Sequence, residues 1–177
     1  LVAEAAGLGA LPALRRCGRI ERRHRLIHTA GRRFLFDHHQ VQEVLYAGIS
    51  PQLRERYHRA LAEALEAREG ADDQEPRRLE GAVAVPLCEH FLRGGCGARA
   101  LRYLDSALDH LEASHFHAAA VDLADRALAA ERLLGGEKRA NLLVRKAKRL
   151  GLLGRRPEER VVLEEALILA ERTGGPR

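Results

Sequence analysis

Tryptophan and methionine are absent from this chain, and tyrosine with phenylalanine make up only 4% of its 177 residues. No apolar run approaches the roughly 20 residues that a membrane-crossing helix needs, so that class is excluded and no membrane partner is expected. Cysteine is limited to Cys17, Cys88 and Cys96. An odd, low count argues against a disulfide framework and suits a reducing cytoplasm. Lysine is confined to Lys138, Lys146 and Lys148, so arginine carries nearly all of the positive charge. With no Met and an opening of Leu-Val-Ala-Glu, the chain is expected to be a segment of a longer protein.

Several chemistries are missing too. Nucleotide hydrolysis needs a glycine-rich phosphate loop ending in Lys and Ser or Thr, and none occurs. No His-Glu-x-x-His or Cys-x-x-Cys spacing appears, and Cys88, His90 and Cys96 fit no zinc pattern, so no metal is expected. The adjacent His38 and His39 point about 100° apart on a helix, which does not make a metal pair. None of the cysteines has an evident partnered base, so a thiol nucleophile is not expected either. No residue is therefore nominated as catalytic, and no cofactor is expected in this segment.

What remains is rich in Ala, Leu, Arg and Glu, all strong helix formers, with 46% hydrophobic and 31% charged residues. That length and composition suit about one domain, or one domain and part of another. A first helix over residues 8–17 should close at Gly18. The runs 25–29 and 33–36 flank Ala30-Gly31-Arg32 and read as a hairpin, the one credible β structure. Asp37 is a plausible N-cap for a helix continuing through Tyr46.

From Ser50 onward the pattern is helical throughout. Ser50-Pro51 starts a helix running to about Glu69, with Leu53, Tyr57, Leu61 and Leu65 as its apolar stripe. A polar, acidic stretch at about 70–78 is the best loop or boundary. Helices follow at about 79–93, 98–113, 116–134, 138–153 and 157–173, giving six in all from Ser50 to Thr173. Pro86 should kink or restart the first of these. The aromatics Tyr46, Tyr57, Phe91, Tyr103 and Phe116 are expected in cores.

A repeat underlies these helices. Gly95, Ala100 and Ala107-Leu108 share their spacing with His115, Ala120 and Ala127-Leu128, and again with Gly154, Glu159 and Ala166-Leu167. Alanines seven apart share a helix face and let a neighbouring backbone approach closely, so stacked helix pairs are expected. An ordinary bundle of alanine-rich helices is the alternative.

The net charge of +5 is uneven: residues 15–33 hold eight Arg and one acid, Glu21. Within that run Arg22, Arg23, Arg25, Arg32 and Arg33 form a candidate contact patch for phosphates or acidic protein. A solvated face packing on an acidic neighbour is the simpler account.

The segment Phe34-Leu-Phe-Asp-His-His-Gln-Val-Gln-Glu-Val-Leu-Tyr46 resembles the stretch that closes the winged-helix part of bacterial signal-transduction ATPases with numerous domains. His58-Arg-Ala-Leu-Ala-Glu-Ala-Leu-Glu66 is similar to the helix signature that follows it in that family. Leu87-Cys-Glu-His-Phe-Leu92 and Ala100-Leu-Arg-Tyr-Leu104 resemble the subsequent apolar and tetratricopeptide-like helices. The likeness runs from about residue 10 to the end and is most specific between Phe36 and Glu66. The chain departs from the family pattern at Asp37, where relatives often carry Arg or another residue, and at Glu159. The second departure predicts irregular stacking of the last helix.

The resemblance implies a mostly α fold, with a partial winged helix and its β-hairpin over 1–49 and an antiparallel tetratricopeptide-like array over 50–177. It implies an ATPase core upstream, with ATP or ADP bound there, in a parent that is an ATPase or an ATPase-linked kinase. It places His38 where relatives reach the terminal phosphate of the nucleotide, although a helix-capping role is the competing expectation. The expected function is a non-catalytic regulatory and protein-interaction scaffold, its partners being the ATPase domain in cis and an effector protein on the helices. The alternative is nucleic-acid binding through residues 15–33, in which an expected recognition helix rich in Asn, Gln and Arg is missing.

Overall fold

A computed structural model describes residues 2–31, 33–130 and 133–173. The order is α1 (Val2–Ala5), α2 (Ala10–His24), β1 (Ile27–Ala30), β2 (Arg33–Phe36), α3 (His39–Ala47), α4 (Pro51–Glu69), a single 3₁₀ turn (Pro76–Arg78), α5 (Gly81–Arg93), α6 (Gly97–Ala113), α7 (His117–Ala129), α8 (Gly136–Leu152) and α9 (Arg156–Thr173). The protein is mostly helical with one small antiparallel hairpin. Six helices span Ser50 to Thr173, as the glycine and serine breaks predict. Among the described residues no helix is long and apolar enough to cross a membrane.

The N-terminal part differs from expectation in its details. α2 does not stop at Gly18 but runs on to His24, since one interior glycine costs a helix only about 1 kcal/mol. It ends where Arg25 turns left-handed at φ 51°. Glu21 then reaches the hairpin, accepting from the Thr29 amide at 2.6 Å and the Thr29 hydroxyl at 3.1 Å. The strands pair Ile27 with Phe36 and Ala30 with Arg33, around Gly31 at φ 61°. Asp37 does not cap α3. Its carboxylate instead meets His28 Nδ1 at 2.6 Å, so His38 takes the N-cap position without a side-chain bond to the helix.

α4 begins as predicted, with Ser50 Oγ accepting from the Leu53 amide at 3.4 Å and Pro51 at the first position. Its expected apolar stripe is only half used. Leu53 and Tyr57 are exposed, whereas Ala62, Leu65 and Glu66 are buried, because the C-terminal half of the helix carries the packing. Pro86 lies within α5 without dividing it. Of the aromatics expected in cores, Phe91 and Tyr103 are fully buried, while Tyr46, Tyr57 and Phe116 are exposed.

The spacing repeat is a structural one. Gly70, Gly95, His115 and Gly154 are left-handed, at φ 58°, 68°, 60° and 73°. At each, the next amide bonds five residues back: Ala71 to Glu66, Cys96 to Phe91, Phe116 to Leu111 and Arg155 to Leu150. The left-handed residue itself bonds three back, to Ala67, Leu92, Glu112 and Gly151. This is one helix-ending motif used four times, and it satisfies carbonyls that would otherwise be orphaned.

Burial follows the same register. Ala100, Ala107, Ala120 and Ala127 are at most 1% exposed, and Ala166 is buried too. α5 packs on α6, and α6 packs on α7. α8 packs on α9 through Ala147, Leu150, Val162 and Ala166. Irregular stacking was expected at Glu159, yet the small residue has moved to the partner helix. A Cβ on Gly151 would lie 2.7 Å from Glu159 Oε1, so the carboxylate fills the space that a side chain at 151 would take.

Candidate functional site

Two regions of the surface carry unusual chemistry. The first is the polar face of α2. At 100° per residue, Arg15, Arg16, Arg19, Arg22 and Arg23 fall within an arc of about 120°. All five are exposed, and none forms an ion pair among the described residues. Arg25 and Arg33 are exposed at the two ends of the hairpin. Arg32, the remaining member of the candidate patch, lies outside the described residues. The far side of α2 is apolar, and Leu11 and Leu14 are more than half exposed. Most arginines on the later helices behave differently. Arg145, for example, reaches Asp109 at 2.7 Å, Glu112 at 3.1 Å and Asp105 at 3.4 Å.

The second region lies where α3, α4 and α5 meet. His58 Nε2 is 2.7 Å from the Tyr46 hydroxyl, and His58 Nδ1 is 2.8 Å from His90 Nδ1. One side chain from each helix thus joins a single hydrogen-bonded chain. Only one of the two Nδ1 atoms can carry the shared proton, so the bond requires at least one neutral ring. Burial, then the neighbouring His90 and the Arg93, Arg126 and Arg54 charges, lower His58 to about 4. Burial also lowers His90, against the opposing charge of Glu89. Both imidazoles are neutral at pH 7, which suits the bond they share. Arg54 stacks over the Tyr46 ring at 5.2 Å.

This joint holds the helices closely. Gly94 leaves room for the Arg59 backbone, whose amide nitrogen would lie 2.7 Å from a Cβ there. The Arg59 side chain donates to the Gly94 carbonyl through Nε at 3.2 Å and Nη2 at 3.1 Å. A bulkier residue at 94 would separate α4 from the turn after α5.

His38, the expected phosphate contact, is exposed at the start of α3, and His39 lies 3.4 Å from Glu43. Neither joins the His58–His90 pair. Among the described residues no three His, Cys, Asp or Glu gather as a metal site. Burial pushes the Cys88 thiol up to about 12, with Glu89 and Asp105 adding to the shift, so its thiolate is scarce at neutral pH. His58 and His90 both lie inside the sequence stretches singled out above, but their separation is no local spacing. The signal that could have found them is a pair of histidines on two successive apolar-faced helices.

Comparison of the chain with protein families, curated proteins and solved structures gives no match.

Proposed function

We propose that this chain is a regulatory, non-catalytic scaffold: a tetratricopeptide-like helical array joined to the end of a winged helix. On this reading it belongs to a larger signal-transduction ATPase, or an ATPase-linked kinase, whose nucleotide-binding core lies upstream. A partner held by the helices would act through α4 on that core. The observation that carries the reading is the Tyr46–His58–His90 chain, which ties the helix after the hairpin to the first helix pair of the array. The family likeness of the Phe36 to Glu66 stretch supports it, since that stretch supplies Tyr46 and His58.

The test uses the longer protein. His58→Ala should change its basal ATP hydrolysis at least about threefold by loosening the joint, whereas Lys148→Ala, at an exposed position, should not. Equal rates in wild type and His58→Ala would remove the coupling role. ATP turnover by the 177-residue chain alone would overturn the non-catalytic reading.

A second reading, nucleic-acid binding, is favoured by the arginine arc of α2. Rows of unpaired guanidinium groups suit a phosphate backbone and confer affinity without sequence preference. Duplex DNA should then be retarded in a gel at physiological salt. Changing Arg22, Arg23 and Arg25 to Ala should abolish the shift, and a shift unaltered by that change would exclude this surface.

A further inference from the structure

α8 covers α9 along one side, where Val162 and Ala166 are buried. About 100° further round the helix, Leu163 and Leu167 remain 44% and 60% exposed. They floor an open groove of about 370 Å³ whose walls are Arg156, Glu159, Arg160 and Glu164. Arg156, Arg160, Leu163 and Leu167 follow one another at steps of four, three and four. That is the spacing of a seam on which a second helix packs.

The charges along this seam are sorted by position. Arg156 and Arg160 lie towards the N-terminal end of α9, and Glu164 and Glu171 towards its C-terminal end. Arg160 donates to Glu164 at 3.0 Å, yet its side chain is 83% exposed. Glu171 is exposed and has no ion-pair partner among the described residues. A face that is neutral overall, basic at one end and acidic at the other, is complementary to itself turned end for end. A partner of a single charge sign would gain at one half of it and lose at the other.

We infer that this face of α9 is the contact surface for a second copy of the chain, docked antiparallel across a two-fold axis. When Leu163 of one copy lies against Leu167 of the other, Arg160 comes level with Glu171 to within about one residue, on the same flank of the seam. The two-fold axis makes each of these contacts twice. A parallel pairing would instead set Arg156 against Arg156 at one level, which like charge disfavours. The inference uses no residue of the histidine joint and does not depend on the scaffold reading.

Analytical ultracentrifugation of the full chain between about 1 µM and 1 mM should show a monomer–dimer equilibrium. The dissociation constant should be on the order of 10–100 µM, as suits an interface built from one helix pair. As concentration rises, the α9 amides should exchange with solvent more slowly than in the monomer, because the dimer gives the helix a second neighbour. Leu163→Gln with Leu167→Gln should weaken the dimer at least about tenfold. Arg160→Glu alone and Glu171→Arg alone should each weaken it about threefold or more, and the two combined should restore it, since the pair is then only reversed. Both of these side chains are exposed, so the reversal reads docking and not folding. A chain that stays monomeric throughout would overturn the inference and leave the groove to a different protein. So would a dimer that the leucine changes leave intact, or charge reversals that do not rescue one another.

Discussion

Glu66, only 5% exposed, accepts a 2.7 Å hydrogen bond from the Tyr103 hydroxyl, and so α4 is fastened to α6 across a buried carboxylate. Arg99 donates to the other oxygen of Glu66 while lying 4.5 Å over the Phe91 ring, which stacks on Tyr103. Removing the carboxylate strands the buried hydroxyl, whereas the half-exposed Arg99 keeps Glu63 at 3.3 Å. Glu66→Ala should therefore destabilise by about 1–3 kcal/mol, against about 1 kcal/mol for Tyr103→Phe. Urea denaturation measures both, and similar small losses would show that the carboxylate is not integral to the core.

Ala100, Ala107, Ala120 and Ala127 sit where helices touch, so enlargement has nowhere to go. Changing any one of them to Leu should cost roughly 1–3 kcal/mol through overpacking. Ala118, exposed on α7, should accept Leu with little effect. Neutral outcomes at all four buried positions would show that the array does not pack through these alanines.

The His58 joint makes stability depend on pH in a defined direction. In the folded chain His58 stays neutral down to about 4, whereas in the unfolded chain it protonates near 6.5. Between those values the unfolded state binds a proton that the folded state refuses, so stability falls as pH falls through this window. Above pH 6.5 and below about 4 this group contributes no slope. His90 acts in the same sense. His58→Gln should flatten the dependence of the thermal midpoint across that window, and an unchanged slope would assign it to other groups.

In the parent ATPase that the proposed function implies, the family likeness makes a separate prediction at His38. Loss of a charge-assisted bond to phosphate costs roughly 1.5–3 kcal/mol, so His38→Ala should weaken diphosphate retention about tenfold or more and raise basal activity. His39, paired with Glu43, should tolerate the same change. Equal diphosphate affinity in wild type and the His38 variant would reduce that residue to a helix-start position.

The helix breaks were legible because glycine and serine mark them, and the alanine register was legible because it repeats. The end of α2 was not, since the left-handed residue there is Arg25, a type that announces no turn, while Gly18 stays helical. Asp37 looked like a cap because aspartate caps helices well. Its carboxylate was engaged by His28, nine residues upstream in sequence and diagonal to it on the neighbouring strand. Tyr57 and Leu53 fit an apolar stripe, but periodicity does not reveal which half of a helix will find a neighbour. The histidine joint comes from three helices, and no short window of sequence contains it.

The repeated left-handed turn has a consequence for how the protein tolerates change. The motif ends α4, α5, α6 and α8, and most packing runs between successive helices, so a helix with one neighbour is held by less than a helix with two. α6 is held by α5 on one side and α7 on the other, whereas α9 packs on α8. Fraying should begin at α9, whose amide protons should exchange with solvent faster than those of α6. A loop insertion at the turn between α8 and α9 should leave the Tyr46–His58–His90 chain undisturbed. Changes at that end should cost less than changes at the joint near the hairpin, which three helices share.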